Sequence, residues 1–211
     1  RTARIVSNQT LKHFYQWSIN TGPQMIDDQD MWTEVYDAIE KNDISEAAAR
    51  LRNGLERFFE MICNALQAPV PYTSSHRWDF GVFRSAAIGK YRNLLKEAKK
   101  ALQSWGKDKQ DQFMAVQQLE ERVSQAAIQA GEESWGINSN VHFNEWSNFS
   151  KNDFLPVVNA YKELCATFLC PSCGQPIRGI GGGLNPERIQ CACDKMGWSM
   201  NKNRTVKKLA G

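Results

Sequence analysis

The sequence predicts a mainly α fold, a helical bundle with a small β module at its C-terminal end. Apolar residues recur at three- and four-residue steps through separate stretches between residues 27 and 168, each the stripe of an amphipathic helix. Four cysteines then crowd, with several glycines, between Cys170 and Cys193, where that periodicity stops. No segment repeats at a fixed period, which argues against a solenoid.

The 211 residues are 42% hydrophobic and 23% charged, enough apolar material for a core and unlike a collagenous, low-complexity or wholly disordered chain. Lys plus Arg (26) against Asp plus Glu (23) leaves +3, so the chain is no polycation and a charged partner must be met by a local patch. No window approaches the roughly 18 consecutive apolar residues of a membrane span, and no apolar signal region follows Arg1-Thr2-Ala3-Arg4. The expectation is a soluble, cytoplasmic protein with no membrane partner. The missing initiator Met suggests a fragment of something longer.

The first 26 residues keep no clean period through Leu11, Phe14, Tyr15, Trp17 and Ile19, and read at most as a short helix ended by Gly22-Pro23. Met31, Val35 and Ile39 recur every four positions among eight acidic residues, giving an amphipathic helix over 27–46 that ends near Asn42. Ser45 is the expected N-cap of the next helix, whose stripe is Leu51, Leu55, Phe58, Ile62 and Leu66, and which must stop before Pro69. Residues 68–84 are rich in Pro, Ser and aromatics, hence a loop or a short strand pair. Ile88, Tyr91, Leu95, Ala98, Leu102 and Trp105 then alternate steps of three and four, the pattern of a long helix packed on another, ended by Gly106. A further helix over 109–130 carries Phe113, Val116, Leu119 or Glu120, Val123, Ala127 and Ala130, with Gly131 as its stop. After the irregular 131–149, Ser150-Lys151-Asn152-Asp153 is a capping signature. Phe154, Val157, Tyr161, Leu164 and Phe168 form the last stripe, with Pro156 tolerated in its first turn.

Cys63 and Cys165 sit in helical patterns, whereas Cys170-Pro171-Ser172-Cys173, with Gly174 next, is separated from Cys191-Ala192-Cys193 by the seventeen residues 174–190. Two residues between thiols with a Gly after the second is the spacing of a zinc knuckle. The second pair is one residue tighter and can still supply two tetrahedral corners. Gly179, Gly181, Gly182 and Gly183 suit a hairpin tip between them, and Ile177, Ile180 and Ile189 suit strands. The outline is a zinc ribbon, with Cys170, Cys173, Cys191 and Cys193 holding structural Zn2+ in a closed site. An iron site or a thiol redox pair are the alternatives, the redox pair lacking any βαβ unit. Four thiolates give the site a net charge of −2 around a divalent ion, which Arg178, Arg188 and Lys195 are near enough in sequence to offset. The expected organisation is a bundle over 1–168, a zinc ribbon over 169–200 and a basic tail over 201–211. Metal removal should then unfold the ribbon and leave the bundle helical.

Two basic stretches are candidate nucleic-acid contacts. Arg84, Lys90, Arg92, Lys96, Lys99, Lys100 and Lys107 face one Glu97, and Lys202, Arg204, Lys207 and Lys208 follow the ribbon. The first reads equally as a phosphate-tracking face or as a solvated face turned toward the acidic helix 27–46; the second reads also as a disordered soluble tail. Trp135, Phe143, Trp146 and Phe149 gather in the irregular segment, either to stack on bases or to seat that loop on the bundle. His13, His76 and His142 lie 60 residues or more apart with no nucleophile or metalloprotease spacing around them. Neither Gly89-Lys90 nor Gly181-Gly182-Gly183 has the context of a phosphate-binding loop.

Three stretches, LRNGLERFFEMICNALQAPV (51–70), AAIGKYRNLLKEAKKALQSW (86–105) and NVHFNEWSNFSKNDFLPVVNAYKELCATFLCPSCG (140–174), together resemble the C-terminal region of bacterial SMC-like and RecF-like ABC-type ATPases, many of phage-defence type. The resemblance implies DNA-linked biology and an ATPase or nuclease part elsewhere. It carries no catalytic residue onto this chain, and the nucleotide-binding motifs of such a family are not found here.

The leading expectation is therefore a non-enzymatic module that docks DNA, another nucleic acid or a partner ATPase subunit for an ATP-driven machine. The alternative is a pure protein-assembly element whose helix 88–105 pairs with another chain. A third reading, an enzyme assembled around His142, Glu145 and Asp153, has no spacing in its favour.

Overall fold

Residues 30–74, 78–138, 150–182 and 185–203, with two short N-terminal strands, are described by the computed structural model. The helices are α1 (Met31–Glu40), α2 (Ile44–Leu66), α3 (Phe80–Gln103), α4 (Gln110–Glu132), the single turn α5 (Trp135–Asn138) and α6 (Lys151–Ala166). Helices α1 to α4 pack each on the next, and α6 returns across α4 and α2. The fold is the expected helical bundle with a small C-terminal sheet.

Local chemistry sets the helix ends, in places differently from the expectation. The cap of α2 is Asp43, not Ser45. Asp43 Oδ1 accepts from the Glu46 N–H at 3.0 Å, an anion at the positive end of the helix, and starting there buries Ile44. Asp79 Oδ1 does the same for the Val82 N–H at 3.0 Å, so α3 begins two turns before Ile88. Phe80, Phe83 and Ala87 are the stripe of that early part, and 68–79 contains no strand among its described residues. Gly131 lies inside α4 and does not end it, Pro156 falls in the second turn of α6, and Phe59 rather than Phe58 is the fully buried ring of α2.

The end of α2 carries a measurable strain. Gln67 adopts a left-handed φ of 55° while the Ala68 N–H returns to Cys63 O at 2.8 Å, a geometry that favours glycine. The buried Gln67 Oε1 has no hydrogen-bond partner. Gln67→Gly is expected to stabilise the protein by about 0.5–1 kcal/mol, read as a higher midpoint in urea at unchanged slope.

At the N-terminal end the short helix expected before Gly22-Pro23 is instead an antiparallel pair, β1 (Phe14–Ser18) with β2 (Gly22–Met25), in which Phe14 faces Met25 and Ser18 faces Gly22. The aromatics Phe14, Tyr15 and Trp17 favour extended backbone, and Gly-Pro cannot continue a helix.

The core is aromatic at its centre. Phe59, Phe80, Tyr91, Tyr161 and Phe168 are fully buried, with Phe168 edge-on to Phe59 at 5.8 Å and tilted over Tyr91 at 5.0 Å between centroids. Just after Phe168 the chain enters the C-terminal sheet, β3 (Arg178–Ile180), β4 (Arg188–Gln190) and β5 (Gly197–Ser199), antiparallel in that order with Gly179, Ile189 and Trp198 in one row. That row turns inward. Ile189 and Trp198, with Ile177 before them, belong to the same hydrophobic core as the helices, and Gly179 lets β3 close in: a Cβ there would lie 2.6 Å from Pro186 Cγ and 3.5 Å from Leu66 O. Polar bonds fasten the edges. The Ile177 N–H donates to Phe168 O (3.0 Å), Trp105 Nε1–H to Asn201 O (3.1 Å), and the Asn203 N–H to Ser104 Oγ (2.8 Å). Among the described residues no helix is long and apolar enough to cross a membrane.

Candidate metal centre

The two cysteine pairs are brought together by two turns of matching construction. In the first, the Cys170 N–H donates to Gln175 O at 2.9 Å; in the second, the Cys191 N–H donates to Met196 O at 2.8 Å, five residues on in both cases. The residue after the second cysteine of each turn is left-handed, Gly174 at φ 67° and Asp194 at φ 60°. A glycine fits that conformation freely and an aspartate tolerates it. The equal closure explains how a pair with one intervening residue matches a pair with two.

All four sulfurs lie within 4.8 Å of one another, with Cys170 and Cys191 buried and Cys173 and Cys193 half-buried. The Cys170–Cys193 and Cys191–Cys193 Sγ separations are 3.7 and 3.3 Å. A tetrahedral tetrathiolate ion with bonds of about 2.3 Å has edges of about 3.8 Å, so the donor set and its size suit such an ion, and with four protein ligands the site is closed. Among the described residues this is the one cluster of ligating side chains so arranged.

Backbone amides aim at the sulfurs. Against the upward push of burial, the N–H groups of Ser172 and Cys173 hold the Cys170 thiol below its ordinary value, and the Gln175 N–H lowers that of Cys173. The Met196 N–H donates to Cys191 Sγ at 3.3 Å. Cys193 behaves oppositely: although the Lys195 N–H favours its thiolate, the neighbouring sulfurs, Cys191 first, push it up to about 12. Thiolates this close repel one another, and a cation among them would relieve that repulsion. Cys63 and Cys165 differ in kind, since burial raises both and the Cys63 thiol donates to Phe83 O at 3.3 Å. Arg178, Arg188 and Lys195 are exposed and form no ion pair among the described residues.

The basic residues of α3 divide into two groups. Arg84 serves the core, its guanidinium 5.6 Å from the centre of the Tyr161 ring and Nη1 donating to Tyr161 Oη at 3.2 Å. Lys99 pairs with Glu120 of α4, Lys100 with Glu97 at 2.9 Å, and Lys90 is partly buried, which lowers its ammonium pKa. Arg92 and Lys96 lie on the stripe shared by Lys99 and Lys100, exposed and without an ion pair among the described residues. Lys107 is exposed just beyond the helix, and the bonds of Asn201 and Asn203 to Trp105 and Ser104 bring exposed Lys202 to the same end. Arg204, Lys207 and Lys208 lie outside the described residues. The acidic helix does not face this surface: α1 packs on α2, where Glu34 meets Arg50 at 3.3 Å, and Glu40 meets Lys151.

Two further expectations change. The stripe Tyr91, Leu95, Ala98 and Leu102, offered as a seam for another chain, is buried within this one by α2 and α4. Asp153 of the third reading is a helix cap, its Oδ2 accepting from Ser150 N–H (2.9 Å) and Ser150 Oγ (2.7 Å), which lowers its pKa. His142 and Glu145, like His13, His76, Phe143, Trp146 and Phe149, lie outside the described residues. Trp105, which the period places on the core stripe, is 39% exposed. Compared with protein-family models, curated proteins and solved structures, the chain matches none.

Proposed function

We propose that this chain is a zinc-stabilised, non-enzymatic docking module for nucleic acid. In this reading it serves a cytoplasmic, ATP-driven, DNA-linked machine whose ATPase lies in a partner subunit or another part of the polypeptide, as the resemblance of residues 51–70, 86–105 and 140–174 implies. Zinc is the ion of choice because it takes four thiolates tetrahedrally and brings no redox chemistry of its own. When bound, it supplies a fixed closure of the ribbon and no open coordination position.

One observation carries the nucleic-acid reading. Arg92, Lys96, Lys107 and Lys202 stand exposed along α3 and at its C-terminal end, without ion pairs among the described residues, and the sequence continues into Arg204, Lys207 and Lys208. Cations not committed to carboxylates are available to phosphates, and their contacts release counterions.

The test is a titration of the zinc-loaded protein with labelled single- and double-stranded oligonucleotides at several salt concentrations. Binding should weaken steeply with salt. The combined variant R92Q/K96Q/K107Q/K202Q should lose at least about tenfold in affinity at low salt and flatten the log–log slope by about 3. Absence of binding at low salt, or an unchanged slope in the variant, would remove this reading in favour of protein assembly.

A further inference from the structure

The exposed tryptophan at the junction of helix and ribbon goes beyond a phosphate-tracking surface. We infer that Trp105 is a stacking platform for an unpaired nucleobase, flanked by Lys107 and Lys202 as contacts for the adjoining phosphates. This inference rests on the nucleic-acid reading above and deepens it, from any polyanion to a strand with accessible bases.

Tryptophan carries the largest apolar surface of any side chain and is ordinarily well covered. Trp105 ends the α3 stripe, yet 39% of it remains exposed. It is also held in place, because its indole N–H donates to Asn201 O at 3.1 Å, which ties the ring to the segment leaving β5. A partly exposed ring fixed at its polar edge can receive a base with little further ordering cost. Gly106 turns the chain with a left-handed φ of 60°, and a Cβ there would meet nothing within 4 Å.

Charge favours the same ligand. Lys107 lies two residues after Trp105 and Lys202 directly after its hydrogen-bond partner Asn201; both are exposed, Lys109 is half-buried nearby in sequence, and Asp108 is the one acid of the 106–109 turn. Trp135 makes the contrast. It is similarly exposed at 36%, but its indole N–H donates to the Glu133 carboxylate at 3.1 Å and Glu132 is close in sequence, a setting that repels a phosphodiester. Stacking on an aromatic ring is sequence-tolerant, since every base has a π-face, and it requires a base free of its duplex partner.

The experiment compares zinc-loaded wild type, W105A, W105F and the lysine-and-arginine variant for binding to a labelled single-stranded oligonucleotide and to its duplex. W105A should weaken single-strand binding about tenfold or more, with the duplex and the salt slope unchanged. W105F keeps a ring but loses the N–H bond to Asn201, so it should retain most of the single-strand affinity. Equal losses on both substrates, no loss in W105A, or a W105F as weak as W105A would overturn the stacking role. If the basic variant loses binding while W105A does not, stacking alone falls; if wild type binds neither substrate, the underlying reading falls with it.

Discussion

Removal of a metal held by Cys170, Cys173, Cys191 and Cys193 is expected to lower the thermal midpoint by on the order of 10 °C while most of the helical circular dichroism survives at room temperature. Sequence spacing alone suggests a ribbon that melts by itself and leaves the bundle indifferent. The packing says otherwise, because Ile177, Ile189 and Trp198 are part of the hydrophobic core that α2 and α3 build. The two cysteine turns have only the metal to close them on each other, so those three side chains are expected to loosen from the helices when the thiols are freed. The helix surface they uncover is on the order of 150 Å², or about 4 kcal/mol at the usual apolar coefficient. The remaining helices still pack α1 to α4 and α6 upon one another, which is why the helical signal persists. Cys170→Ser with Cys173→Ser should reproduce the effect without a chelator. Thermal melts with and without chelator check it; an unchanged midpoint would mean that the ribbon is an independent appendage.

Phe168→Ala should cost about 3–5 kcal/mol and weaken metal retention in the same stroke. Phe168 is 1% exposed and its ring touches Phe58, Phe59 and Tyr91, so truncation opens a cavity at the centre of the core. Its carbonyl also accepts the Ile177 N–H at 3.0 Å, and Cys170 is only two residues on. Loosening that residue therefore disturbs both the bundle and the first cysteine turn. Urea unfolding and metal competition with a chromophoric chelator measure the two effects; loss of stability with unaltered metal affinity would show that the handover from α6 to the first turn is slack.

What was legible in the sequence is what short-range spacing encodes. The stripes at 51–66, 88–102 and 154–168 and the two cysteine pairs needed no knowledge of distant neighbours, and the structure has helices and a four-sulfur cluster there. What was illegible depends on partners far along the chain. Lys99 looks like part of a free basic face until α4 brings Glu120 to it, and Arg84 until Tyr161 of α6 takes its guanidinium. The start of α3 was hidden because Trp78-Asp79-Phe80-Gly81 has the composition of a loop, although Asp79 is a cap. Trp105 kept the right period for a buried stripe, but the helix ends at Gln103, before the stripe can carry it into the core. The ribbon's membership in the common core left no periodic mark, since it depends on Gly179 admitting Leu66 and Pro186 to close approach.

X-ray absorption at the zinc edge of the purified protein decides whether the four cysteines hold a metal. The expected result is one zinc per chain with a single shell of four sulfurs at about 2.3 Å, lost in the double variant Cys170→Ser with Cys173→Ser. A shell containing nitrogen or oxygen, or a protein that retains no zinc and instead shows sulfur–sulfur bonds of about 2.05 Å by diffraction, would contradict it.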